Sequence, residues 1–179
     1  IGGLFNDCSM TNSHNYGDIT GGAVTYDAPA DRYSIKPNMY VGGILGYADG
    51  YNMVNCSNSG TITSGKLAVN DQPYQATGSV LNIGGLCGFF NLSAQDCTNK
   101  GNIIVESSEQ AYVGGVAGEF CGAEAQNCTN YGKITYKGEI RDSYLGGFSG
   151  SSGTQKMIEC VNYADVTGPK NVKYGRTGG

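Results

Sequence analysis

The chain has 179 residues, with thirty glycines, thirteen tyrosines, no tryptophan and only 15% charged residues. Its net charge is −4 and its pI is near 4.8, with no cluster of Lys and Arg, so the basic footprint that nucleic-acid binding requires is missing. No apolar run approaches the ~18 residues of a direct membrane span, and glycine far above its usual ~7% without a three-residue period excludes collagen.

Read from the first residue, the chain repeats itself. The pattern apolar-Gly-Gly-apolar-x-Gly starts at Ile1, Val41, Ile83, Val113 and Leu145, with spacings of 40, 42, 30 and 32 residues, and Thr177 opens another start after a further 32. Later in each unit comes Cys-x-Asn-x-Gly-x-Ile-Thr or a close variant. These marks define units 1–40, 41–82, 83–112, 113–144 and 145–176 of one repeat domain over 1–179. Because both ends fall on repeat boundaries, the chain is expected to be part of a longer array. A period of 20–50 residues points to a solenoid, propeller or array, and abundant Gly and Asn between β-branched residues point to short strands and tight turns.

Unit one, I-G-G-L-F-N onward, carries Cys8, Ser13, the only histidine, His14, and then Asn15. Its Asn6 stands where the later units have Gly46, Gly88, Gly118 and Gly150, and this column is expected to require positive φ, which Gly and Asn tolerate best. The insertion after Thr20, residues 21–40, contains two strand-like runs around a Pro/Asp turn. Unit two repeats the layout, with Cys56, Asn58, Ile62 and an insertion at 64–82. Stacking of the units is expected to set these two hairpin-like extensions side by side on one face. Tyr26, Asp27, Asp31, Arg32, Tyr33, Asp71 and Tyr74 on them are the candidate ligand-binding residues.

Units three to five are shorter and make the columns plain. Asn15, Asn58, Asn99, Asn130 and Asn162 are unbroken through all five units, and stacked amides can hydrogen-bond to one another and to the turn backbone. They are read as structural. Ile19, Ile62, Ile103, Ile134 and Val166 suit inward strand positions. Cys56, Cys97, Cys128 and Cys160 form a further column, with Cys8, Cys87 and Cys121 elsewhere; parallel Cβ vectors and the odd total favour buried free thiols over bridges. No C-x-x-C pair exists and one histidine cannot complete a His-containing set, so no zinc and no other cofactor is expected. His14 is replaced by Ser57, Thr98, Thr129 and Val161 in the other units, which marks an ordinary surface position. H-E-x-x-H, G-x-S-x-G and P-loop patterns are absent.

A 30-residue unit of short strands cannot bury its apolar face alone, whereas stacking neighbours ~4.8 Å apart closes the backbone ladder and creates one continuous core. The fold expected is all-β: a β-solenoid, a right-handed parallel β-helix of about five coils. A five-bladed propeller fits a 30-residue repeat poorly, and the L-x-x-L-x-L frame of leucine-rich repeats is missing.

The segments I-G-G-L-C-G-F-F…D-C-T-N-K-G-N-I at 83–103 and V-G-G-V-A-G…N-C-T-N-Y-G-K-I at 113–134 resemble GLUG-type repeats of bacterial surface proteins, including regions flanking the peptidase part of immunoglobulin-A-cleaving metallopeptidases. The Cys-x-Asn-x-Gly variant is similar to repeats in predicted adhesins and lipoproteins of anaerobic gut bacteria. The resemblance departs from the pattern at Asn6, Ser13 and Ala164. It implies an extracellular module on the bacterial cell surface, non-catalytic, with an adhesive, scaffolding or spacer role. Its implied partners are flanking repeats or domains of the same protein, with host protein or polysaccharide as further candidates. The rival class is a carbohydrate-active β-helix enzyme, a polysaccharide lyase or hydrolase, which needs clustered carboxylates. Asp27, Asp31 and Asp71 beside Tyr26, Tyr33 and Tyr74 are the one group that could serve. An ice-binding face is disfavoured because Ile104 interrupts the column Thr20, Thr63, Thr135 and Thr167.

Overall fold

The computed structural model describes residues 2–7, 9–26, 38–69, 80–106, 108–138, 140–153, 156–170, 172 and 174–178. Every strand pairing among them is parallel, and no helix occurs among them. The strands are short because each coil must turn several corners, and they stack in register as five sheets.

A coil is best followed from the strand that leads into its Gly-Gly turn. The lead sheet contains Met39–Gly42, Val80–Gly84, Ser108–Gly114, Ile140–Gly146 and Tyr174–Gly178. After the turn comes a long sheet, with Gly2–Asn6, Leu45–Val54, Cys87–Gln95, Ala117–Phe120 and Ser149–Ser152, continued by Met10–Thr11, Glu124–Gln126 and Lys156–Ile158. The asparagine sheet follows, with His14–Asn15, Ser57–Asn58, Thr98–Asn99, Thr129–Asn130 and Val161–Asn162. The isoleucine sheet, Ile19–Thr20, Ile62–Thr63, Ile103–Val105 and Ile134–Tyr136, closes the section and extends through a bridge from Ile134 to Val166. This is a parallel β-solenoid, and the expected stacking of equivalent columns is observed. A propeller, with its radially arranged blades, is ruled out by these through-stack sheets.

Two apolar cores run along the axis. One is built from Ile44, Leu45, Met53, Leu86, Phe90, Val116, Phe120 and the column cysteines; the other joins the lead and isoleucine sheets through Val41, Ile62, Ile83, Ile103, Val113, Ile134 and Leu145. Ile62, Ile103 and Ile134 are fully buried, each contributing on the order of 1.5–3 kcal/mol relative to exposure. Tyr136, packed against the second core, donates to or accepts from Ser143 Oγ at 3.0 Å, and burial pushes its hydroxyl up to about 12.

Two sequence expectations are corrected by the register. Asn6 pairs with Asp49, and Gly2 with Leu45, so Gly3 is the residue set against Gly46. The Ile1-Gly2-Gly3 triplet imitates the repeat start but sits three residues out of phase. Accordingly the asparagine links span 43, 41, 31 and 32 residues, with 43 for the first coil where the sequence marks suggested 40. The second correction concerns why the third column is glycine. No left-handed φ occurs at Gly46, Gly88, Gly118 or Gly150; instead a Cβ at Gly88 would lie 2.6 Å from Gly46 O, 2.7 Å from Val41 N and 2.8 Å from Asn82 O. The glycines let the long sheet press backbone to backbone on the lead sheet.

Left-handed backbone occurs elsewhere, at the corner before the asparagine sheet. Asn12, Asn55, Asp96, Asn127 and Glu159 have φ of 50 to 55°. Asn and Asp take this conformation at low cost, and Glu at more. Each of the first four turns its backbone N–H to the following coil, as Asn55 N does to Gln95 O at 3.0 Å and Asn127 N to Ile158 O at 2.9 Å.

Candidate functional site

The candidate binding residues Asp27, Asp31, Arg32, Tyr33, Asp71 and Tyr74 lie outside the described residues. Their roots are described: Val24–Tyr26 pairs in parallel with Leu67–Val69, with Tyr26 opposite Val69. The roots of the two insertions therefore leave adjacent coils at the same position around the section, one rung apart, as expected from the repeat.

The asparagine column is the best-defined polar arrangement in the molecule. Asn15 Nδ2 donates to Asn58 Oδ1 at 2.8 Å, Asn58 to Asn99 at 2.9 Å, Asn99 to Asn130 at 2.8 Å and Asn130 to Asn162 at 2.8 Å. The other Nδ2 hydrogen goes to the carbonyl two residues on, from Asn58 to Gly60 O at 2.8 Å and from Asn130 to Gly132 O at 3.0 Å. Oδ1 also accepts from the turn, as from Gly101 N at 3.2 Å. Asn58, Asn99 and Asn130 are 0% exposed, and a buried amide is stable only with such a full set of partners. The second glycine of each Gly-Gly pair makes room: a Cβ at Gly43, Gly85, Gly115 or Gly147 would strike the amide of Asn58, Asn99, Asn130 or Asn162. Gly-Gly and Asn are thus one device.

The cysteine column is likewise internal. Cys56, Cys97, Cys128 and Cys160 are free, as are Cys87 and Cys121, while Cys8 lies outside the described residues. Each column thiol donates to the carbonyl two residues before it, Cys97 Sγ to Gln95 O at 3.1 Å and Cys128 Sγ to Gln126 O at 3.3 Å. Hydrogen bonds from the Cys128 and Cys56 thiols, together with burial, push Cys97 up, while the bond to Cys97 lowers Cys56 and Cys128. Burial also pushes Cys87 up.

Cys121 differs. It is exposed, and its thiol is raised first by partial desolvation and then by Glu119, whose Oε1 it meets at 3.7 Å. A maleimide is expected to label Cys121 first among the described cysteines, faster as pH rises because the thiolate is the nucleophile. The buried thiols should react only after denaturant is added. Peptide mapping by mass spectrometry checks this, and early labelling of Cys97 or Cys128 would contradict the buried column.

His14 is exposed, at the ordinary surface position expected of it, with Nδ1 2.8 Å from Ser57 Oγ. Among the described residues no group of three or more His, Cys, Asp and Glu is placed to hold a metal.

Sequence reasoning missed two outer columns. At the left-handed corner, Asn55 Nδ2 donates to Asn12 Oδ1 and Asn127 Nδ2 to Asp96 Oδ1, both at 2.6 Å. The signal was the Asn, Asp or Glu directly before each column cysteine, or before Ser13. On the face where the lead and long sheets meet, Tyr47 and Phe89 stack at 4.7 Å with Tyr40 edge-on to both, and Tyr112 lies 4.9 Å from Tyr144. Burial, then Asp49 and Tyr40, raises Tyr47; burial, then Tyr144 and Glu119, raises Tyr112. Tyr47 and Phe89 turn a ring face towards each other along the axis. Beyond Tyr144, Arg176 lies over its ring at 5.4 Å, and an open hollow of about 570 Å³ separates Ser149–Ser152 from Tyr174–Gly178.

No curated protein and no solved structure matches the chain. A family model, the GLUG motif, matches residues 37–63. That segment takes in the lead strand Met39–Gly42, the Gly-Gly turn, Cys56, Asn58, Gly60 and the strand Ile62–Thr63, which is one circuit of the section described above. Residues 37–63 are therefore a GLUG repeat, on which the neighbouring coils stack in register.

Proposed function

We propose that this chain is a non-catalytic repeat module of a bacterial cell-surface protein, extracellular, which holds flanking repeats or domains of that protein away from the cell. Glycan or host protein is bound through the insertions at 21–40 and 64–82. The observation that carries the reading is the unbroken column of amides, Asn15 to Asn162, which ties successive coils into a stiff rod. A GLUG repeat within the rod supports a repeat module of a surface-type protein. The paired roots Val24–Tyr26 and Leu67–Val69 support a shared binding face, since they launch both insertions from neighbouring coils.

The test is a glycan-array and host-protein binding screen with the chain and with a variant in which both insertions are replaced by short turns. Binding that disappears in the variant while its melting curve is kept is the expected result. No binding in the screen, with unchanged adhesion of cells carrying the variant, removes recognition and leaves the spacer. Release of oligosaccharides from a polysaccharide panel, abolished by Asp27→Asn, Asp31→Asn or Asp71→Asn, overturns the non-catalytic reading.

A further inference from the structure

We infer that the outer face shared by the lead and long sheets, midway along the stack, is a recognition site for a guanidinium group, the side chain of an arginine on a partner protein. Two columns in register form this face. Tyr40, Asn82 and Tyr112 stand on the lead sheet, and Tyr47, Phe89 and Glu119 on the long sheet. Asn82 and Tyr112 point away from the core because their strand neighbours fill it: Leu81 and Ile83 flank the first, Ala111 and Val113 the second.

The rings on this face fall into two separate groups. Tyr40, Tyr47 and Phe89 contact one another, as do Tyr112 and Tyr144, and among the described residues no ring contact joins the groups. The break comes where Phe89 is followed in its column by Glu119, and Tyr112 is preceded in its own by Asn82. Tyr47 stacks on Phe89 at 4.7 Å and 9°, so the opposite face of Phe89 turns towards Glu119 with no ring upon it. Phe89, Tyr112 and Glu119 are all half-buried, so the break meets solvent.

What stands in the break is rich in electrons and short of donors. Asn82 is 2% exposed, and its Oδ1 is a buried acceptor without a hydrogen-bond partner. Buried polar groups are almost always paired, so an orphan carbonyl on this side of the strand marks a place for a donor. The one hydrogen bond that the Glu119 carboxylate accepts among the described residues comes from the Cys121 thiol, at 3.7 Å, and no Lys or Arg pairs with it there. Asp49, two residues from Tyr47, adds a second carboxylate, which accepts from Asn91 Nδ2 at 2.9 Å. A guanidinium answers all of these together. Its plane stacks on a free ring face, one edge pairs with a carboxylate, and a further N–H remains for an amide oxygen. The hydroxyls of a sugar would leave the carboxylate charge unmatched. Asn82 is closed off in the free chain, so the side chains around it part as the group enters. Of the two insertions proposed to bind glycan or host protein, only the last residue of the second, Asn82, takes part.

Titration with the peptide acetyl-Gly-Arg-Gly-amide at low salt, followed by nitrogen–proton correlation NMR, tests this. Saturable shifts in the millimolar range are expected, largest at the Asn82 side-chain amide and at the backbone of Phe89 and Glu119. The citrulline peptide, alike in shape but uncharged, should give none, and the lysine peptide should bind more weakly. Glu119→Gln is expected to weaken the arginine peptide about tenfold, and Phe89→Leu several-fold. Glu106→Gln, which removes the same charge just past the strand Ile103–Val105, should leave binding unchanged. The spectrum of each variant establishes its fold, and Glu119→Ser, the residue of the next coil in that column, replaces Glu119→Gln if needed. A variant with both insertions shortened, keeping Met39–Gly42 and Val80–Gly84, should bind the peptide as the parent does. Peptide binding kept there, with glycan and host-protein binding absent, supports this site whatever becomes of the insertions; peptide binding lost there assigns it to the insertions and overturns the proposal. No saturable shift with the arginine peptide, equal binding of the citrulline peptide, or undiminished binding in folded Glu119→Gln also overturns it, as does a saccharide panel that shifts these resonances when the arginine peptide does not.

Discussion

Asn99→Ala is expected to destabilise the chain by about 3–5 kcal/mol, because it strips partners from several buried groups at once. Asn58 Nδ2 loses its acceptor at 2.9 Å, Gly101 N loses its acceptor at 3.2 Å, and Gly101 O and Asn130 Oδ1 lose a donor. Each such group left without a partner costs about 1–3 kcal/mol. The loss falls in the middle coil, so the two halves of the stack should also uncouple, broadening the urea transition. Asn162→Ala at the last coil, where the amide is only half-buried, should cost about 1 kcal/mol. Asn99→Asp is expected to be worse than Ala at neutral pH, since a carboxylate has no hydrogen to give to Gly101 O or Asn130 Oδ1. Its folded-state pKa would be raised above the ~3.9 of the unfolded chain. Stability is therefore highest below that value and is lost as pH rises through the folded pKa. Urea midpoints at several pH values check both the size and the sign; equal midpoints for Asn99→Ala and Asn162→Ala would refute the burial argument.

Gly118→Ala is expected to cost about 3 kcal/mol or more, the upper end of overpacking effects. Its new Cβ would lie 2.6 Å from Gly88 O, 2.6 Å from Ile83 N and 2.9 Å from Tyr112 O. All three are backbone atoms, held by two different sheets, so no side chain can swing away. Gly3→Ala in the same column meets nothing within 4 Å and should change stability by less than about 0.5 kcal/mol. Asparagine separates crowding from backbone conformation: if positive φ were the requirement, Gly118→Asn would be milder than Ala, whereas crowding makes it more severe. Denaturant melts of the three variants decide between them.

What could be read from the residues is what faces inward. Asn58, Asn99 and Asn130 meet the same neighbours in every coil, so one residue type is kept and the column is visible in a single sequence. The same holds for Ile62, Ile103 and Ile134. The left-handed corner escaped notice because it faces water, where Asn12, Asn55, Asp96, Asn127 and Glu159 can differ in chemistry while sharing one φ. The reason for glycine at 46, 88, 118 and 150 was misread because a residue without a side chain leaves no sign of whether space or torsion demands it. The first coil was misaligned because Gly2-Gly3 imitates the turn, and only the backbone pairing of Asn6 with Asp49 places it. The candidate binding residues from Tyr26 to Tyr74 stand in no repeated column, so pattern reading had only their composition to work with.

The unequal coils have a consequence for reach. Forty-three residues separate the first two asparagines and thirty-one the third and fourth, yet each pair is one hydrogen bond apart, 2.8 Å from Nδ2 to Oδ1. The height of such a column is counted in turns, each adding about 4.8 Å whatever its residue count. Extra sequence in a turn goes into girth, so the distance spanned and the outline presented sideways can be altered independently.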